Sequence, residues 1–193
     1  MNWHRLLSCA LVAILGLAAS RAAHGAPLPG DSIYHLDAPL TDQHGKSRKL
    51  ADTQGKPVIA AMFYASCKFV CPLIIDSVRK TERALEPAQR EGIEVVLISL
   101  DPDRDTPAVL KELAHKRHVD SPHWHLMRAQ ANDVRRIAAV LGVQYKRLDD
   151  GEFSHSSALV LLDAQGRVLA RSEKLGEADP DFVAAVQRAL ATP

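Results

Sequence analysis

The sequence lacks most of the features that would classify it at a glance. Among 193 residues there are three cysteines, aromatics make up 5%, and neither charge sign dominates, with 24 Lys+Arg against 23 Asp+Glu. Three cysteines are too few for a disulfide-dense scaffold, and a chain of this length can bury a core without one. The formal charge of +1 leaves no electrostatic footprint for nucleic acid, so no nucleic-acid partner is expected. There is no phosphate-cradling glycine loop, no Ser/His/Asp hydrolase spacing, no repeat and no low-complexity tract. What is present, 47% apolar and 24% charged residues, describes one globular domain.

The first 26 residues read as an address. They carry Arg5, a predominantly apolar stretch at 6–19, and small residues ending at Ala26, the three-part layout of a secretory signal. As a helix that stretch would rise ~21 Å, short of the ~30 Å hydrocarbon core. A cleaved signal is therefore expected, with an uncleaved anchor as the alternative, and membrane contact only in the second case. Cys9 lies inside the stretch and goes with it. Over 27–193 the basic residues fall to 22 against 23 acids, for a formal charge of −1, and Cys67 and Cys71 remain. A disulfide closing so short a loop would constrain the unfolded chain by only ~2 kcal/mol, against ~4.7 for a 100-residue loop. A purely structural bridge is the weaker reading, and the pair is read as chemistry.

Hydrophobic patterning organises the rest. Turn signals at Pro29-Gly30 and at 42–45 flank candidate strands at 33–36 and 48–50, which would form an N-terminal β-hairpin. Residues 57–64 (PVIAAMFY) are a continuous apolar run of strand length, as expected for a strand covered on both faces. After Cys71, Ile74, Val78 and Leu85 fall at near-helical spacing, with Pro72 suited to the first helical position and Gly92 as the break. Residues 93–100 (IEVVLISL) form a second buried strand, and Thr106-Pro107 supply an N-cap and N1 pair for the next helix. A short strand at 124–127 precedes a helix closed by Gly142. Residues 145–152 are polar and turn-rich; 157–162 and 167–171 pair as a hairpin, and Asp179-Pro180 cap a last helix. Alternating β and α elements with a late antiparallel hairpin give an α/β three-layer sandwich with a mixed central sheet, and a thioredoxin-like arrangement fits best.

Cys67 and Cys71 stand where the first buried strand passes into a helix, the end at which α/β sheets keep their ligands. Helix-end N–H groups favour thiolate over thiol, so depressed pKa values are expected for Cys71 and Cys67, with Lys68 acting in the same direction. Such a dithiol can form a disulfide or offer two soft donors to a metal. His155, just before the strand at 157–162, is the candidate third ligand, and two sulfurs with an imidazole suit copper. Asp101, at the end of the second buried strand, is either a partner for His155 and the thiols or an Asp-Pro turn residue. Arg104 and Asp105 are expected to cap and brace the helix that follows. His115, His118, His123 and His125 cluster in sequence but lack a carboxylate or cysteine pattern, and are read as solvated.

The segment 64–72 (YASCKFVCP) resembles the Sco/SenC signature, in which C-x-x-x-C-P follows a buried strand ending in an aromatic residue. Further matches follow in order: 40–46 (LTDQHGK), the strand before 101–107 (DPDRDTP), 143–145, and Ser154-His155-Ser156 before SALVLLDAQGRV. The resemblance covers about residues 30 to 190 and implies a thioredoxin-like envelope protein, exported and periplasmic in a bacterium. It implies one copper, as Cu(I) or Cu(II), bound through Cys67, Cys71 and His155. The implied partner is the copper-bearing subunit of cytochrome c oxidase, whose CuA centre the family helps to mature, or another envelope copper protein. The chain departs from the usual pattern in having Ala65-Ser66 before the first cysteine and Lys68-Phe69-Val70 between the two. A cation there weakens copper binding while stabilising free thiolate, which favours the alternative role of thiol-disulfide oxidoreductase. No extended apolar stripe asks for a dimer, and a monomer is the default.

Overall fold

The computed structural model describes residues 27–192, so the segment 1–26 lies outside the described residues. A seven-stranded sheet organises the chain, in the order β2 (Ser47–Arg48), β1 (Leu40–Asp42), β5 (Trp124–Ala129), β4 (Glu94–Ser99), β3 (Val58–Phe63), β8 (Leu159–Leu162) and β9 (Val168–Ser172). At its centre are β3 (Val58–Phe63) and β4 (Glu94–Ser99), parallel to each other and to β5 (Trp124–Ala129). Every residue of β3, and every residue of β8 (Leu159–Leu162), is buried. A strand with no exposed face must be covered on both, which is the layered arrangement expected from the apolar runs. β1 (Leu40–Asp42), β8 and β9 (Val168–Ser172) join antiparallel and make the sheet mixed.

Two helices begin at caps that the sequence supplies, and the helix that matters for the site is an exception. Thr106 caps α3 (Pro107–Lys116) by accepting from the Val109 N–H at 3.4 Å, and Asp179 caps α5 (Pro180–Ala191) through the Asp181 N–H. α4 (Ala131–Val140) ends at Gly142, whose φ of 62° closes the helix without a Cβ penalty. The exception is α1 (Val70–Arg83). It starts two residues before Pro72, so the proline sits in the first turn, where its missing N–H leaves no bond unmade. A separate short helix, α2 (Pro87–Glu91), precedes Gly92.

Two expectations near the sheet edges are corrected. The N-terminal hairpin is present, but it is built from β1 and β2 (Ser47–Arg48), whereas Ile33–His35 and Leu50–Thr53 are 3-10 turns. The turn 42–45, taken as a boundary between strands farther out, is the hairpin's own loop. The polar stretch 145–152 also hides structure: β6 (Tyr145–Arg147) pairs antiparallel with β7 (Phe153–His155), outside the main sheet. Alternation in three-residue strands is too brief to separate from a polar loop.

Asp42 holds the first hairpin. Its carboxylate accepts from the His44 and Lys46 N–H groups, each at 2.9 Å, and from Arg48 Nε at 3.0 Å, while its side chain is 1% exposed. Burial pushes the carboxyl up, but those three donors together outweigh it and hold the pKa below the ordinary range. A depressed folded value means stability that is present above the unfolded pKa and lost as pH falls through the folded one. Asp42→Asn should therefore lower stability at pH 7 by about 2 kcal/mol. In urea melts the gap between the variant and the parent protein should shrink on acidification below pH ~4; a gap independent of pH would contradict the assignment.

Candidate functional site

Strand β3 delivers the chain to the two cysteines. After Phe63 the backbone turns, with the Cys67 N–H reaching the Tyr64 carbonyl at 3.3 Å, and α1 begins at Val70. Both cysteines are free thiols; Cys67 is half-buried and Cys71 is buried. The Tyr64 N–H donates to Cys71 Sγ at 3.3 Å, so the deeper sulfur serves as acceptor for the end of the strand.

The two sulfurs differ in acidity, which corrects the expectation that both would be depressed. Burial raises Cys67, but the N–H groups of Cys71, Phe69 and Val70 face it and, with the Cys71 thiol, bring its pKa below the ordinary thiol value. Cys71 is driven far above that value by burial, only partly opposed by the Tyr64 N–H. The Cys67 charge and Asp105 raise it further. A half-buried, more acidic thiol and a buried, less acidic one result. Phe69, between them, is 82% exposed.

The carboxylate that reaches this loop is Asp105. It accepts from the Ala65 N–H at 3.0 Å and from Ser99 Oγ at 2.6 Å, and Ser99 Oγ in turn accepts from the Asp101 N–H at 2.9 Å. Burial raises the Asp105 pKa, against the pull of Ser99 and Ala65. Asp101 is also buried, but its carboxylate pairs with Arg104 Nε and makes no hydrogen bond to His155 or the thiols. Arg104 goes on to donate through Nη2 to the Gly151 carbonyl at 2.7 Å. It therefore braces the β6/β7 hairpin, and Asp105 anchors the cysteine loop; neither caps α3, whose cap is Thr106. The sequence signal for Asp105 was available in the spacing of DPDRDTP, but nothing local says which of its aspartates points back across the sheet.

His155 arrives on β7, opposite Tyr145. Its Nδ1 lies 3.1 Å from the Ser156 carbonyl. A carbonyl only accepts, so Nδ1 carries the proton and Nε2 is left with a free lone pair. Burial lowers the imidazole pKa, opposed by the Ser156 contact, and favours the neutral ring that a metal requires. Between His155 and the thiols stands Tyr64. Its ring meets Phe153 at 5.3 Å and His155 edge-on at 5.9 Å. Burial, then the Cys67 thiol and the Glu152 carboxylate, push its hydroxyl well above the ordinary tyrosine range. The structure thus brings Cys67 and Cys71 together and sets His155 across an aromatic ring from them. Among the described residues no three His, Cys, Asp or Glu side chains converge closely enough to hold a metal.

The histidine cluster is not simply solvated. His123 Nε2 meets Glu82 at 2.8 Å and His125 Nε2 meets Glu94 at 2.9 Å, partners distant in sequence that the spacing could not reveal.

The split in thiol acidity has a direct readout. Iodoacetamide should modify Cys67 at least ~10-fold faster than Cys71 at pH 7, because the thiolate is the nucleophile and Cys71 is both protonated and buried. The rate at Cys67 should rise with pH through a midpoint below that of free cysteine. Peptide mapping after timed quenching measures both sites; equal labelling would be incompatible with this geometry.

The family model for SCO1/SenC matches residues 34–191. A SCO2-like protein of Rickettsia felis is 29% identical over 141 residues, which is 69% of this chain and 66% of that protein. The match thus spans about two thirds of that relative's length. Among solved structures, Bradyrhizobium japonicum ScoI with copper bound superposes with a TM-score of 0.66 at 25% identity, covering 79% of this chain and 96% of that one. A SCO1/SenC family lipoprotein from Bacillus anthracis gives 0.68 at 25% identity, covering 78% and 91%. These likenesses also settle the architecture as thioredoxin-like. With the cysteine pair, the DPDRDTP loop and the SHS segment all inside the matched span, the chain belongs to the SCO1/SenC family.

Proposed function

We propose that this protein is a copper carrier that takes up Cu(I) on the Cys67 and Cys71 sulfurs and completes the site with His155 Nε2. The observation that carries the reading is the donor set. Two free thiols lie side by side at the start of α1, and a neutral imidazole with its Nε2 lone pair free stands on the facing hairpin. Thiolates select Cu(I), and imidazole is acceptable to both copper oxidation states, so the same ligands retain the ion on oxidation. The copper bound in the Bradyrhizobium relative supports the choice of metal.

The copper is cargo. The lowered pKa of Cys67 makes it the first of the two sulfurs to give up its proton. Coordination then draws the proton from Cys71, beside which Asp105 and the Tyr64 N–H are fixed. Transfer proceeds by ligand exchange with an acceptor that presents its own soft donors, and the copper-bearing subunit of cytochrome c oxidase, in CuA maturation, is the acceptor in this reading. The segment 1–26 directs export and leaves a single domain, 27–193, in the bacterial periplasm; left uncleaved, it would tether the domain to the membrane.

Anaerobic titration of the reduced protein against a chromophoric Cu(I) competitor tests this reading. One-to-one binding is expected, lost in Cys67→Ser and in Cys71→Ser, and weakened ~10- to 100-fold in His155→Ala, as is usual when a supporting metal contact is removed. Oxidising the dithiol should abolish it. Affinity indifferent to all three residues, or unchanged by oxidation, would sink the proposal.

The acidity split favours a second reading, thiol-disulfide exchange. The Cys67 thiolate attacks an acceptor disulfide, forming a mixed disulfide and releasing one acceptor thiolate. Cys71, after losing its proton, attacks the Cys67 sulfur; the acceptor leaves fully reduced and the Cys67–Cys71 disulfide remains. Cys71→Ser protein should then accumulate a mixed disulfide with an oxidised copper-protein acceptor, visible on non-reducing gels. No such adduct, from a variant that still alkylates normally at Cys67, would exclude this route.

A further inference from the structure

The parallel strands have a second end, and it too carries a pocket. The dithiol follows the carboxyl end of β3, whereas Trp124 opens β5 at the opposite end of the same parallel set. There the last turns of α1, the short helix α2 and the loop before β5 border an open pocket of about 200 Å³ whose lining includes Arg79, Glu82, Arg83, Arg90, His123 and Trp124.

Its electrostatics are unbalanced. Glu82 is 12% exposed and both its carboxylate oxygens are engaged: it pairs with His123 Nε2 at 2.8 Å and accepts from Trp124 Nε1 at 3.1 and 3.2 Å. It makes no ion pair with any of the arginines among the described residues. Arg90 is fixed by donating Nε to the Leu85 carbonyl at 3.0 Å and Nη2 to the Arg83 carbonyl at 3.2 Å. Arg79 and Arg83 lie one helical turn apart and have no carboxylate partner among the described residues. The Glu86 side chain serves the capping box of α2, and Asp120 lies 3.4 Å from His115.

Cations in the last turn of a helix ordinarily complement its dipole. That explanation does not absorb these. The carbonyls of Lys80, Thr81 and Glu82 already accept from the Ala84 and Leu85 N–H groups, and Lys80 reaches away to the Gly176 carbonyl. The half-buried Arg79 and the exposed Arg83 therefore line a concave surface with their donors unspent, and a planar fork matches the oxygens of a phosphate group bidentately.

We propose that this pocket is a binding site for a phosphate group, remote from the dithiol and independent of the copper reading. Free phosphate and the headgroup of an anionic phospholipid carry the same chemistry, and the test separates them. Isothermal titration of the full chain with inorganic phosphate is run beside co-sedimentation with phosphatidylglycerol and phosphatidylcholine vesicles. Parent protein, the double variant Arg79→Gln/Arg83→Gln, and Arg188→Gln on α5 are compared after thermal melts show that all three fold. Comparison between lipids removes any contribution of segment 1–26 that does not depend on the headgroup.

Saturable one-to-one phosphate binding, weakened at least ~10-fold in the double variant and unchanged in Arg188→Gln, is the expected result, since each charge-assisted bidentate contact is worth a factor of this order. Absence of phosphate binding, together with a preference for phosphatidylglycerol that falls at least ~10-fold in the double variant, would identify the headgroup as the source and uphold the site. Binding of neither probe, or binding equally strong in the double variant, would overturn it.

Discussion

A strand buried on both faces has to end somewhere inside the protein, and its final N–H groups need acceptors where no further strand can provide them. At the end of β3 the Tyr64 N–H finds Cys71 Sγ and the Ala65 N–H finds Asp105. The deeper sulfur and the carboxylate are thus held in place by a backbone requirement of the core. Ser99, the last residue of the adjacent parallel strand β4, fixes Asp105 from the other side, so the ends of two central strands are tied into one buried polar unit. A fully connected unit of this kind is rigid because each member left alone would be an unsatisfied buried group.

From that anchoring the difference between the cysteines follows. α1 begins at Val70, before its own proline, which places the N–H groups of Phe69, Val70 and Cys71 around Cys67. Had the helix started at Pro72, Cys71 would lie ahead of it and Cys67 would face no helix end. The residue that gains from the helix is the less buried one, while Cys71 is committed to the core, where the Asp105 charge disfavours its thiolate. Both proposed chemistries of the dithiol use this arrangement, since each begins at the more acidic sulfur and then recruits the other.

The fold was legible where burial is continuous. PVIAAMFY, IEVVLISL and SALVLL announce strands through length and composition alone, and Thr106-Pro107 and Asp179-Pro180 announce helices through cap chemistry. Legibility failed where a residue's role is set by something distant. Asp105 looks like a helix-capping residue in sequence, yet its partners are forty and six residues away. Asp101 sits at the strand end as expected, but its charge is answered by Arg104. Glu82 and Glu94, which occupy His123 and His125, are separated from them by 41 and 31 residues. Spacing sees only neighbours along the chain, and these contacts are made by the sheet.

The placement of His155 bears on what kind of site this can be. Its hairpin is a two-stranded unit outside the main sheet, and such ribbons have marginal stability of their own. It is held by Arg104, which bridges from Asp101 to the Gly151 carbonyl, and by Phe153 against Tyr64. The sulfurs, in contrast, rest on the core. A third ligand carried by a separately braced element can join or leave without disturbing the strand ends beneath. A resident metal would be better served by three ligands on rigid elements. In the proposed copper reading, division of the donors between a loop anchored on the core and a separately braced hairpin would suit an ion that has to be released.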